Sequence, residues 1–175
     1  MTVTARREPA RGTQRSSASF ATTAEEHLDD VYAYLVYLTR DRSLAEDLAA
    51  DTFEKALRLW QRFDPRRASA RTWLCQIART TALDWFRGEE RRQRREERAA
   101  EPERVEEAFV EGLSPDLQAA LAQLSAGERE VIALRVLLEL DGDEAARVLG
   151  ISPTAVSTRL SRALKKLEKK VSAHV

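Results

Sequence analysis

Thr154, Ser157, Thr158, Arg162 and Lys165 recur along one side of a C-terminal segment with helical spacing, short hydroxyls first and basic groups after them. Hydroxyls and a guanidinium can hydrogen-bond base edges in a major groove, and lysines suit the phosphates beside it. The chemistry on offer is recognition of a duplex. Covalent chemistry has no comparable support. His27-x-Asp29-Asp30 sits among ordinary surface charges, His174 is the other histidine, and no glycine-rich phosphate loop or placed nucleophile is present. Cys75 has no second cysteine to pair with and reads as a small core residue. Neither an enzyme nor a metal or cofactor site is expected.

The elements that must position those hydroxyls are legible in the same stretch. Val156, Leu160, Ala163, Leu164, Leu167 and Val171 form an apolar stripe opposite the polar side. Ser152 offers an N-cap oxygen, and Pro153 takes the first helical position, where its missing N–H costs nothing. Upstream, Ala146 is small enough for two helices to touch, and Gly150 permits a left-handed turn. Residues 141–166 therefore read as a helix-turn-helix whose second helix enters the groove. The competing reading is a solvated face on a charged terminal helix.

The formal net charge of zero conceals segregation. Residues 25–60 carry nine acidic against four basic side chains, 61–98 eleven basic against six acidic, 99–150 twelve acidic against four basic, and 151–175 six basic against one acidic. Screening beyond about 8–10 Å lets each basic block attract a polyanion locally. With 175 residues, few glycines and prolines and no strand-like alternation, the chain is expected to be all-α, in two small helical domains. The apolar run at Val131–Leu138 is too short to span a bilayer, and the N-terminus has arginines without a following hydrophobic core. No membrane insertion and a cytoplasmic location are expected.

Residues 1–22 read as a disordered arm, 23–96 as a first domain, 97–113 as an acidic linker and 114–175 as a second domain. Thr23-x-x-Glu26, Ser43-x-x-Glu46 and Ser125-x-x-Glu128 read as capping boxes, and Ser69 as a further cap. Apolar faces occur at Leu28, Val31, Tyr32, Leu35, Val36 and Leu38, then at Leu44, Leu48, Phe53, Ala56, Leu57 and Trp60. A third carries Trp73, Ile77, Thr81 and Trp85, with Leu74, Ala78 and Phe86 alongside, and a fourth runs through Val131, Ile132, Leu134, Val136 and Leu138. The linker's charge keeps it off nucleic acid and would let it fold over the basic faces of the free protein.

Three stretches then carry a family resemblance. Ala45-Glu-Asp-Leu-Ala-Ala-Asp-Thr-Phe53, Phe63-Asp-Pro65 through Arg71-Thr-Trp-Leu-Cys-Gln-Ile-Ala-Arg79 to Trp85, and Leu124-Ser-Ala-Gly-Glu-Arg-Glu-Val-Ile-Ala-Leu-Arg135 with the helix-turn-helix occur in this order. Together they resemble an extracytoplasmic-function (ECF) sigma factor of bacterial RNA polymerase in its minimal two-domain form. The resemblance implies core RNA polymerase as a partner, met at its β′ clamp helices and β flap, along with promoter DNA and an anti-sigma factor. It implies that Glu46, Asp47, Asp51 and Glu54 bind core polymerase. Arg62, Arg66, Arg67, Arg71, Arg79 and Thr80 would hold the melted −10 element. Thr154, Ser157, Thr158, Arg159, Arg162 and Lys165 would read the −35 element as duplex. Trp73, Trp85 and Phe86 are open to two readings, base stacking or core. Ser157 and Gly142 depart from what many relatives carry, so the family's promoter preference does not transfer. A helix-turn-helix regulator that is not a polymerase subunit is the alternative, which the N-terminal stretches oppose.

Overall fold

A chain whose apolar residues repeat at helical spacing folds into helices that bury those stripes against one another. The computed structural model describes residues 11–96 and 115–172, and all regular elements among the described residues are helical. The N-terminal unit comprises α1 (Arg11–Thr39), α2 (Arg42–Leu59), a 3₁₀ turn at Trp60–Arg62 and α3 (Ala70–Glu96). The C-terminal unit comprises α4 (Pro115–Ala122), α5 (Ala126–Ile132), a π-helical turn at Ala133–Leu137, α6 (Gly142–Leu149) and α7 (Pro153–Ser172). The expected class, all-α in two helical domains, is what is found. The acidic linker at 97–113 lies outside the described residues, as do residues 1–10.

Helix starts differ from expectation in two places. Residues 11–22, read as part of a disordered arm, are helical, and Thr23 and Glu26 stand inside α1 with no cap to form. One side chain accounts for the extension: Phe20 is buried, and its ring meets Trp60 edge-on at 5.4 Å. The cap of α2 is Asp41, whose Oδ1 accepts the Leu44 N–H at 3.0 Å, so Ser43-x-x-Glu46 does not open that helix. Arg40 adopts φ 57° and turns the chain sharply between α1 and α2, a left-handed turn made without a glycine. The other caps form as read. Ser125 Oγ accepts the Glu128 N–H at 3.3 Å while Ser125 N–H donates to Glu128 at 2.9 Å, and Ser69 Oγ accepts the Thr72 N–H at 3.2 Å. Asp141 and Glu144 build a further capping box that the sequence reading missed.

The N-terminal core is Val31, Tyr34 and Leu35 from α1, Ala45, Leu48, Ala49 and Ala56 from α2, and Leu74, Cys75, Ala78 and Ala82 from α3. The alanines of α2 let α1 and α3 approach closely, which leaves Leu57 and Leu28 about half exposed instead of on the inner faces expected for them. Each fully buried leucine contributes about 1.5–3 kcal/mol, against about 0–1 for an exposed ion pair, so apolar packing dominates this unit. In the C-terminal unit the π turn inserts an extra residue and rotates the residues beyond it. Leu134, Leu138 and Leu140 are buried, whereas Val136 and Leu137 face solvent. On α7, Val156 and Ala163 are buried but Leu164 is exposed, a narrower stripe than expected. Burial also pushes the Cys75 thiol up to about 12, which keeps it protonated and unreactive.

Candidate nucleic-acid interface

The helix-turn-helix is built from local chemistry. Gly150 takes φ 67° and ψ 33°, and its N–H donates to Ala146 O at 2.8 Å, ending α6. A residue with a Cβ would be strained there whatever the surrounding space. Ser152 Oγ then accepts the Ala155 N–H at 3.2 Å and Pro153 begins α7. Thr154, Ser157, Thr158, Arg162 and Lys165 all stand exposed on α7, opposite buried Val156 and Ala163. Ser157 Oγ donates to Pro153 O at 3.1 Å, which leaves its lone pairs outward. Arg159 parts from this group. It is half-buried, its guanidinium lying where a Cβ on Gly127 of α5 would come within 3.0 Å.

The basic block of the N-terminal unit divides into loop and helix. Arg62, Arg66 and Arg67 are exposed, and Arg66 forks onto Asp64 through two bonds of 3.0 Å, holding the Asp64 carboxyl below the usual carboxylate range. An aromatic cluster supports the loop. Phe63 stacks on Trp60 at 5.1 Å and meets Trp73 at 5.0 Å, so Trp73 is a structural residue, whereas Trp85 is exposed enough to meet a base. The α3 residues differ. Arg71 pairs with Asp30 at 3.5 Å, Thr80 is exposed with its hydroxyl donating to Gln76 O at 2.8 Å, and Arg79 is committed to the C-terminal unit. Glu46, Asp47, Asp51 and Glu54 form an exposed acidic face on α2, with Glu54 paired to Arg58 at 3.2 Å.

The two units touch along α1 and one face of α3. Arg79 Nε donates to Glu130 Oε1 at 2.7 Å and Nη2 to Oε2 at 3.3 Å, while Tyr34 OH reaches Oε1 at 3.3 Å. Glu144 Oε1 accepts from Thr72 Oγ1 at 2.9 Å and Ser69 Oγ at 3.0 Å, and Gln76 Nε2 donates to Arg147 O at 3.1 Å. Sequence reasoning missed Tyr34, Glu130 and Glu144 altogether. A buried glutamate looks like a surface one when its partners lie 51 and 96 positions away.

Residues 23–92 match the family model for Sigma-70 region 2, and residues 114–167 match that for Sigma-70, region 4. The ECF RNA polymerase sigma factor SigC of Mycobacterium tuberculosis (strain CDC 1551 / Oshkosh) is 32% identical over 158 residues, spanning 88% of this chain and 82% of that protein. This chain belongs to the ECF sigma factors. SigX of Bacillus subtilis (strain 168) is 29% identical over 170 residues, covering 86% of this chain and 82% of its own. In the solved structure of CnrH in complex with the cytosolic domain of CnrY, the matched chain superposes with a TM-score of 0.67 at 26% identity, over 93% of this chain and 96% of that one. The sigma factor RpoE in complex with the anti-sigma factor NepR from Bartonella quintana shares the fold, with a TM-score of 0.75 at 24% identity over 88% of this chain and 97% of that one. This protein is therefore a transcription initiation factor that directs RNA polymerase to promoters.

No group of three or more metal-ligating side chains gathers among the described residues, and Asp30 of the His27-x-Asp29-Asp30 stretch is turned to Arg71. No helix among them is long and apolar enough to cross a membrane.

Two carboxylates give this sigma factor an acid limb. Lys166, at 2.6 Å, together with the Ser125 backbone N–H, holds Glu128 below its ordinary value. Burial pushes Glu144 up, but the Asp141 backbone and the Thr72 and Ser69 hydroxyls outweigh it and leave Glu144 low. Groups with depressed pKa values stabilise the fold above their unfolded value of about 4.3 and lose that contribution as pH falls through the folded value. The melting temperature followed by circular dichroism should be flat with respect to these groups from about pH 7 to 5 and drop below about pH 4. In Glu144→Gln the acid limb should be shallower; an identical limb would contradict the assignment.

Proposed function

We propose that the factor reads its promoter in two parts. The exposed face of α7 binds the −35 element as duplex through Thr154, Ser157, Thr158, Arg162 and Lys165, with Arg159 nearer the phosphates. The loop bearing Arg62, Arg66 and Arg67, followed by Arg71, Arg79 and Thr80 on α3, captures the −10 element once it is melted. The acidic outer face of α2, with Glu46, Asp47, Asp51 and Glu54, docks on the β′ clamp helices of core polymerase, and the C-terminal unit meets the β flap. The protein acts in the cytoplasm, where polymerase and promoters are. What carries this reading is the segregation of exposed charge by helix, acidic on α2 and polar to basic on the loop and α7. An acidic face toward a basic partner raises association rate and specificity more than affinity.

Run-off transcription tests it: the purified chain with core polymerase should start transcripts at a cognate promoter that core alone ignores. Failure to bind core polymerase at moderate salt would sink the reading. Asp51→Arg should weaken holoenzyme assembly with the fold intact by circular dichroism, because Asp51 is exposed on α2 and buries nothing. Unchanged assembly would contradict the docking face. We further infer an anti-sigma partner spanning both units, supported by the likeness to RpoE and CnrH, each solved in such a complex or with the cytosolic domain of CnrY.

A further inference from the structure

Phe20 is a buried aromatic residue that stands ahead of residues 23–92, the stretch matching Sigma-70 region 2. None of the docking, melting or duplex-reading faces described above uses it. Its ring meets Trp60 edge-on at 5.4 Å, Trp60 stacks on Phe63 at 5.1 Å, and Phe63 and Trp73 lie 5.0 Å apart. Trp60 and Trp73 also meet directly at 6.0 Å, so these three rings close a triangle to which α1 adds Phe20. We propose that Phe20 is a positioning residue for the loop at 62–68: through Trp60 it fixes where Arg62, Arg66 and Arg67 stand before a promoter strand arrives. The proposal rests on the reading of that loop as a −10 contact, and adds what holds it in place.

The loop's hydrogen bonds shape it without anchoring it. Phe63 N–H donates to Trp60 O at 3.1 Å, Arg67 N–H donates to Asp64 O at 3.0 Å, and Arg66 forks onto Asp64. Each of these bonds closes within a few positions and moves with the loop as a unit. Attachment to the helices falls to Phe63, whose ring lies against Trp73 of α3 and against Trp60 just beyond α2. Trp60 is itself only partly buried, and its 3₁₀ turn begins without a side-chain cap. Short 3₁₀ segments have poorer hydrogen-bond geometry than an α-helix. Phe20 brings to that turn a contact from a separate element, and an edge-to-face pair at this distance attracts beyond the area it buries. A loop held in its binding geometry in advance gives up less freedom when it captures a strand, which tightens binding without a new contact to the strand.

The test uses the full chain assembled with core polymerase. Phe20→Leu keeps apolar volume and loses the ring. It should fold normally, while binding of a fluorescent single-stranded −10 oligonucleotide weakens about twofold to tenfold, the range that one lost aromatic pair allows. Phe20→Tyr keeps the ring and should restore the binding. Affinities for core polymerase and for the −35 duplex should not change, because the acidic face of α2 and the exposed face of α7 lie outside the ring cluster. Near-ultraviolet circular dichroism, which reports the packing of Trp60 and Trp73, should lose amplitude in Phe20→Leu and regain it in Phe20→Tyr. Val31→Ala, in the core of the same unit and outside the rings, should lower the melting temperature and leave strand binding intact. Equal weakening by Val31→Ala, or equal losses of core and strand affinity in Phe20→Leu, would reduce Phe20 to a structural residue and overturn the proposal. Unchanged strand binding in Phe20→Leu would overturn it as well. Arg62→Ala and Arg67→Ala then separate the causes. If they weaken strand binding where Phe20→Leu does not, the −10 reading stands and the positioning role falls; if they too bind normally, the −10 reading falls with it.

Discussion

Leu134→Ala is expected to destabilise the protein by about 2–5 kcal/mol, the usual cost of truncating a fully buried leucine whose surroundings relax only partly. Leu134 has no exposed surface and lies in the π turn, where its carbonyl also accepts the Leu140 N–H at 2.9 Å. That turn connects α5 to α6, so its side chain shares a core with Val131, Leu140 and Val156, and a cavity there loosens the seat of the recognition helix. Chemical denaturation should show a lowered midpoint, and duplex binding should fall with it. Val136→Ala, two positions on and 54% exposed, supplies the control, with an expected change within about 0.5 kcal/mol. Equal losses in the two variants would mean that the π turn does not divide the inward from the outward residues as described.

Arg162→Ala is expected to relax discrimination at one base pair of the −35 element by about 1–3 kcal/mol, the worth of a bidentate contact to a base edge. Arg162 is exposed on α7, one turn beyond Thr158 and in line with it. Lys165→Ala should behave differently, weakening all sequences alike and lowering the salt slope by about one. Titrating both variants against a panel of single-position operator mutants separates the two. A loss spread evenly over every sequence for Arg162→Ala would make it a phosphate contact and leave base readout to Thr154, Ser157 and Thr158.

Where a signal is local, the sequence carried it. Gly150, Ser152 and Pro153 define the turn and start of α7, and the Ser125–Glu128 box the start of α5, because each cap joins residues a few positions apart. The second capping box failed for an equally local reason. Asp41 stands two residues before Ser43 and caps the Leu44 N–H, so the helix has already begun at Arg42 and Ser43 lies inside it. Inner faces were less legible. Leu57, Leu164 and Val136 fit a helical period yet lie outside, since alanine-lined contacts on α2 and the π turn after α5 narrow or rotate the buried stripe.

Amino-acid order alone determined the helices, the basic and acidic blocks, the helix-turn-helix and, through three ordered stretches, membership of the ECF sigma factors. These depend on hydrogen bonds and periodicity within a few turns of chain, or on motifs readable in line. The fate of individual charges was decided only in three dimensions. Arg62 and Arg79 are alike in sequence, both in one basic block, yet Arg62 faces solvent and Arg79 is forked onto Glu130. An ion pair closed over 51 residues has no local signature, because its strength depends on burial and approach that only the packing of α5 and α6 on α3 provides.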